Sequence, residues 1–187
     1  MSTIKTLDTG EFDALLHECE QTCRNHNKLR DMLALVLMHD AAMRVSEVCN
    51  LELDHIDPER ALINIWNGKH RKASEYDPVP ASERLIKHLN LYLPTRNAGP
   101  TLLTTLNNNP VNTEHYAHLL ARLGQSALGK HVHPHMLRST AATNLAEQLP
   151  LHYVQKLLRH KRIETTMRYT EVRPRWADDV RKVLDAS

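Results

Sequence analysis

No uncharged stretch of this 187-residue chain approaches the roughly 20 residues needed to cross a bilayer. The N-terminus also lacks a basic segment followed by an apolar run and a small-residue cleavage site. No membrane span or export signal is expected, and a cytoplasmic location is. Cysteine is scarce: Cys19, Cys23 and Cys49 are odd in number and lie in helical-looking segments, which argues against a disulfide framework and for buried apolar thiols. Neither a Cys-x-x-Cys nor a His-Glu-x-x-His spacing is present. The alternating His131-x-His133-x-His135, with His152 and His160 downstream, therefore lacks the company of a zinc site, and no metal or other cofactor is expected. Repeats and low-complexity tracts are missing too. The length suits one domain with a real core.

A large net charge is likewise absent, at +2, but the distribution is uneven. Residues 1–60 hold 6 Lys/Arg against 12 Asp/Glu, a net of −6, whereas 61–187 hold 18 against 10, a net of +8. The densest basic run contains Lys156, Arg159, Lys161, Arg162, Arg168, Arg173, Arg175, Arg181 and Lys182. Such a patch attracts a polyanion and makes binding salt-dependent.

Apolar spacing predicts an amphipathic helix over 11 to about 23, with Phe12, Leu15, Leu16 and Cys19 inward and Thr9 as its cap. Residues 29–43 are apolar around most of a helical circumference and should form the central buried helix, with Arg44 at its end. A short helix follows from about Ser46. Leu62-Ile63-Asn64-Ile65-Trp66 reads as a strand, Asn67-Gly68-Lys69 as a turn, and 76–79 as a return strand closing a hairpin or three-stranded sheet. Ser82 caps a helix to about Leu93, and 94–100 is a loop. Further helices are expected from Asn112 or Thr113 to near Gly124, over 136 to about 147, 151–158 and 163–169, and from Pro174 onward. The class is mainly α with a small antiparallel sheet.

The chemistry-bearing residues are Arg44, Lys69, His135, Arg138, His160 and Tyr169. His135 and Arg138, three positions apart, project from one turn of helix and can meet one phosphate. Arginine suits that task because its planar fork donates two hydrogen bonds to phosphate oxygens and stays charged. A second arginine, proton shuttles and a hydroxyl nucleophile complete what metal-free phosphodiester transfer requires.

In order along the chain, Ala41-Ala42-Met43-Arg44-Val45-Ser46-Glu47, Gly68-Lys69, His135-Met136-Leu137-Arg138, Leu157-Leu158-Arg159-His160 and Thr166-Met167-Arg168-Tyr169-Thr170 resemble the boxes of the tyrosine recombinase or phage integrase family. Any one box is weak; the ordered set is specific. The resemblance implies a recombinase catalytic domain over 1–187 without a separate N-terminal DNA-clamping domain, similar to the short fimbrial phase-variation invertases. It further implies that residues 174–187 form a helix exchanged between protomers.

The implied activity is cleavage and rejoining of DNA without metal or ATP, through a 3′-phosphotyrosine at Tyr169. Arg44 and Arg138 would clamp the phosphate, Lys69 protonate the departing oxygen, His135 accept the tyrosine proton and His160 hydrogen-bond the phosphate. Arg71, Lys72, Arg159, Lys161, Arg162 and Arg168 are candidate DNA contacts. The implied partners are double-stranded DNA and further copies of the chain, dimer to tetramer, with an accessory DNA-bending protein as another candidate.

The sequence departs from the family pattern at Arg159, where glycine is usual, at Ser139, where histidine is frequent, and in a longer hairpin. Arg159 adds either a bulky cation beside the site or a further phosphate contact. Two rival readings share the residues: a DNA-binding regulator of the same fold, and a relaxing enzyme like the type IB topoisomerases.

Overall fold

The computed structural model describes residues 4–23, 26–66 and 76–170. Eight α-helices and one three-stranded sheet occupy those residues in the order α1 (Glu11–Thr22), α2 (His26–Asp40), α3 (Val45–Cys49), β1 (Ile56–Asp57), β2 (Leu62–Trp66), β3 (Tyr76–Pro80), α4 (Glu83–Tyr92), α5 (Thr113–Leu128), α6 (Pro134–Ala146), α7 (Leu151–Leu158) and α8 (Ile163–Met167). The mainly α class with a small antiparallel sheet is therefore as expected.

Helix α2 is the axis of the core. Leu33, Ala34, Leu35, Val36, Leu37 and Met38 are all sealed from solvent, because α1, α4 and α6 pack around it. Six consecutive buried residues cannot share one face of a helix, so the continuous apolar run of the sequence finds its reason here. The helix ends at Asp40, three residues before the expected 43. Ala42 then adopts the left-handed region at φ 47, and this bend delivers Arg44 as the N-cap of α3.

The sheet runs β1-β2-β3 with antiparallel pairing, Ile63 opposite Ile56 and Val79. Ile63, Ile65 and Val79 face the core, and Pro78 and Pro80 sit on β3, which pairs on one side within the three-strand order. Helix α4 starts as expected: the Ser82 hydroxyl accepts the Leu85 N–H at 3.1 Å. Two details differ. Gly10, at φ 83, is the N-cap of α1 rather than Thr9, and the Glu11 carboxylate accepts the Asp8 N–H at 2.7 Å.

Helix α5 also runs past Gly124 to Leu128, closing at Gly129 with φ 65. Gly124 serves a different purpose. A β-carbon there would lie 2.5 Å from Val132 Cγ2 and 2.7 Å from the Lys130 carbonyl. The missing side chain lets the end of α5 seat against the segment that leads into α6, the helix carrying His135 and Arg138. The expected C-terminal helix from Pro174 lies outside the described residues.

This close approach yields a prediction. Alanine is better than glycine inside a helix by about 1 kcal/mol, but overpacking typically costs about 1–3 kcal/mol. Gly124→Ala should destabilise the protein by about 1 kcal/mol in urea unfolding, because Lys130 offers backbone rather than a movable side-chain tip. A stabilised variant would contradict this packing.

Candidate active site

Arg138 enters the site from the second turn of α6 and is 2% exposed, although it is a cation. Three contacts offset its burial. Nη1 donates to the Ala42 carbonyl in the α2–α3 bend, Nη2 donates to the Leu158 carbonyl at 2.6 Å, and Nη2 also approaches His160 Nε2 at 3.4 Å. One guanidinium thus joins α6 to the bend before Arg44 and to the end of α7. Burial, with the Arg44 charge added, pushes its pKa down to about 10, which leaves it cationic at neutral pH.

Arg44 is the more exposed counterpart. Its side chain is 46% exposed and its Nη1 rests on Glu47 Oε1 at 2.6 Å, while its backbone N–H is accepted by Glu47 Oε2 at 2.7 Å. The same Oε2 takes Arg159 Nη2 at 2.6 Å and stands 3.8 Å from Arg138 Nη1. Burial raises the pKa of the Glu47 carboxyl, but the Arg159 and Arg44 cations outweigh it and hold it below the ordinary value. Glu47 joins the candidate site through these contacts, although sequence reading treated it only as the start of a helix. Its signal was the spacing of three from Arg44, which places the pair on neighbouring helical positions.

His160 is ordered from two sides. Arginine can only donate, so the contact from Arg138 makes Nε2 the acceptor and Nδ1 the proton carrier toward Thr166 Oγ1 at 2.9 Å. Donation from Nε2 to a phosphate requires the other tautomer, which the Thr166 hydroxyl can equally serve by donating to Nδ1. Burial and the guanidinium groups of Arg138, Arg44 and Arg159 lower the His160 pKa to about 4. His135 is exposed one turn before Arg138, and burial of its ring together with the Arg138 charge lowers its pKa as well. Both imidazoles are neutral at pH 7, the state in which a histidine can accept a proton.

Tyr169 lies 5% exposed in a small cluster with Ala42, Ala141, Ala142, Val154 and Leu158, its ring 6.2 Å from that of His160 and nearly parallel to it. The hydroxyl-bearing ring is thus next to the arginines but packed among apolar side chains.

A cavity of about 800 Å³ opens beside these groups, lined by Arg44, Glu47, Arg159, His160, Lys161 and Arg162 on one side and by Ile65, Trp66 and Tyr76 of the sheet on the other. Lys161, Arg162 and Arg168 are exposed, as DNA contacts need to be. Arg159 differs: its side chain is 1% exposed and turned inward on Glu47 and the Leu157 carbonyl. Lys69, Arg71 and Lys72 lie outside the described residues, as do Arg173, Arg175, Arg181 and Lys182. Trp66 and Tyr76, the nearest described residues on either side of Lys69, line the cavity. His131, His133 and His135 do not gather their nitrogens around one point; among the described residues that arrangement is found at Glu52, Asp54 and His55, without a further sign of an ion.

The sequence model described as the phage integrase family matches residues 5–175. The chain is 36% identical over 148 residues to "Tyrosine recombinase XerA" of Thermococcus kodakarensis, covering 76% of this chain and 51% of that protein. It is 32% identical over 167 residues to "Tyrosine recombinase XerC" of Staphylococcus carnosus, covering 87% and 55%. The chain therefore spans about half the length of the curated relatives it matches. Among solved structures, a crystal structure of XerA recombinase matches with a TM-score of 0.80 at 23% identity, over 96% of this chain and 65% of that one. XerH recombinase bound to a palindromic difH substrate matches with 0.81 at 19% identity, over 98% and 54%. At these identities the structures establish the fold.

The histidine geometry predicts an acid-side loss of stability. The folded His160 midpoint, near 4, lies below the ordinary 6.5 of an unfolded chain, so the unfolded state takes up the proton first as pH falls. The contribution is intact above pH 6.5 and is lost as pH drops toward 4. Thermal midpoints of the wild type should fall more steeply across that window than those of His160→Gln; parallel slopes would contradict the assignment.

Proposed function

The chain belongs to the phage integrase family, and on that premise we propose that it breaks and rejoins DNA strands at specific sites through a covalent tyrosine intermediate. The observation that carries this reading is the convergence of Arg44, Arg138, His160 and Tyr169, drawn from four separate segments, beside one cavity with basic residues along its wall. A backbone phosphate set between Arg44 and Arg138 receives bidentate donors, and the charge developing on its oxygens is stabilised by cations already in place. The Tyr169 oxygen attacks phosphorus, the bond to the 5′ oxygen breaks, and the strand is held by a 3′-phosphotyrosine. The tyrosine proton goes to His135; the departing 5′ oxygen takes a proton from Lys69, or from Arg71 or Lys72 in the same hairpin segment. Reversal with a different 5′ hydroxyl rejoins the strand, and because the bond energy is kept in the ester, no nucleotide is consumed.

Double-stranded DNA is the proposed partner, with Lys161, Arg162 and Arg168 contacting its backbone. Assembly of two to four copies on DNA is proposed, with residues 174–187 passing between neighbours and a DNA-bending protein assisting. Among the described residues no helix is long and apolar enough to cross a membrane, which accords with the proposed site of action in the cytoplasm.

The test uses a nicked suicide substrate that traps the covalent intermediate. Tyr169→Phe should abolish the adduct while DNA binding persists. Arg44→Ala should slow adduct formation by roughly 10²–10³-fold, about 3 kcal/mol, the scale of one preorganised oxyanion donor. Arg44 is the sharper probe because Arg138 also holds the fold together. DNA binding without any adduct from the wild type would instead favour the regulator that shares this fold.

A further inference from the structure

Arg159 occupies a costly position. It is the C-cap residue of α7 at φ 53 and ψ 42, in the left-handed region that glycine enters freely and that strains residues with a β-carbon. Its side chain is nevertheless buried, and its Nε finds no hydrogen-bond partner among the described residues. A flexible cation at the edge of an 800 Å³ cavity could turn to solvent and hydrate its Nε, whatever its backbone conformation. It turns instead onto Glu47 Oε2 at 2.6 Å, with Nη1 anchored on the Leu157 carbonyl at 2.6 Å.

Glu47 explains the choice. Its carboxylate is the anion nearest the two proposed phosphate clamps, taking Arg44 at 2.6 Å and lying 3.8 Å from Arg138. A phosphate entering the site must compete with it. If Arg44 and Arg138 were its main counter-ions, each would leave a half-buried carboxylate underpaired on moving to the substrate, and such a group is expensive to strand. Arg159 is buried and anchored on the Leu157 carbonyl, so it stays on Glu47 when Arg44 departs.

The geometry points to Arg159 as a positioning residue for strand cleavage: it holds Glu47 as a resident counter-ion, so that Arg44 can exchange that carboxylate for the incoming phosphate. The inference rests on the DNA-cleaving function proposed above. It gives a role to a side chain at a position where the resemblance leads one to expect glycine.

Glycine fits the backbone there, so Arg159→Gly is the main probe, with Arg159→Lys as the variant that keeps a charge and loses the fork. With the full chain on the nicked substrate, Arg159→Gly should reduce the rate of adduct formation by about tenfold or more at saturating DNA, with little change in Kd. Arg159→Lys should recover part of that loss. Adding Glu47→Gln to Arg159→Gly should restore rate relative to Arg159→Gly alone, because the competing charge is gone. A wild-type rate in Arg159→Gly, or multiplied losses in the double variant, would overturn the proposal.

A second readout needs no DNA. His160 is held low in part by the Arg159 charge, so its midpoint, followed by NMR, should rise in Arg159→Gly. An unmoved midpoint would overturn the placement of Arg159 against the site. Failure of the wild type to form any adduct, with the His160 midpoint still shifting in the variant, would contradict the cleavage function and leave the placement standing.

Discussion

The site depends on one carboxylate facing the guanidinium groups of Arg44, Arg138 and Arg159. Two like charges 4 Å apart repel by about 4 kcal/mol at an effective dielectric of 20, so arginines gathered this closely need an anion among them. Glu47 supplies one negative charge and leaves an excess of positive charge pointing at the cavity. That residual field favours a phosphodiester. Burial is the larger reason that the His135 and His160 imidazoles are held below their ordinary pKa, and the arginine charges add to it.

Architecture and chemistry share the same bonds. Arg138 donates to carbonyls of the α2–α3 bend and of α7, so the core that buries α2 also fixes where the proposed phosphate clamp stands. Ala42 connects the two roles: its left-handed backbone turns Arg44 toward the cavity, its carbonyl receives Arg138, and its methyl packs in the cluster around Tyr169. A bulkier residue at this place would disturb all three. Tyr169 packs in that same cluster, its ring 6.2 Å from that of His160.

Much of this was legible in the chain because local chemistry determined it. The apolar run after Leu29 became a helix buried on every side, Ser82 capped α4, and the pairing of 62–66 with 76–80 emerged from β-branched alternation around a turn signal. Of the residues in the ordered boxes, Arg44, Arg138, His160 and Tyr169 lie near one another among the described residues. What escaped was decided by tertiary contact. Gly124 looked like a helix stop, yet it is an interior residue made necessary by Lys130 and Val132, in the segment that folds back from the end of α5. Glu47 looked like part of a helix start until the inward turn of Arg159 revealed what it balances. No periodicity encodes that turn, because a basic residue in a basic run reads equally well as solvated. The hairpin with Lys69, Arg71 and Lys72 and the segment from Pro174 lie outside the described residues, and their roles rest on the resemblance and on the proposals above.

The central claim is that a largely buried tyrosine, rather than an accessible one, becomes linked to DNA. Tyr153 is 57% exposed and Tyr169 only 5%, so accessibility and site geometry point to different residues. The direct measurement is to trap the covalent complex of the wild-type chain, digest protein and DNA, and locate the nucleotide-bearing peptide by mass spectrometry. The account predicts a nucleotide joined through its 3′ phosphate to Tyr169, with a free 5′ hydroxyl on the released strand. Attachment at Tyr153, or a link through a 5′ phosphate, would contradict it.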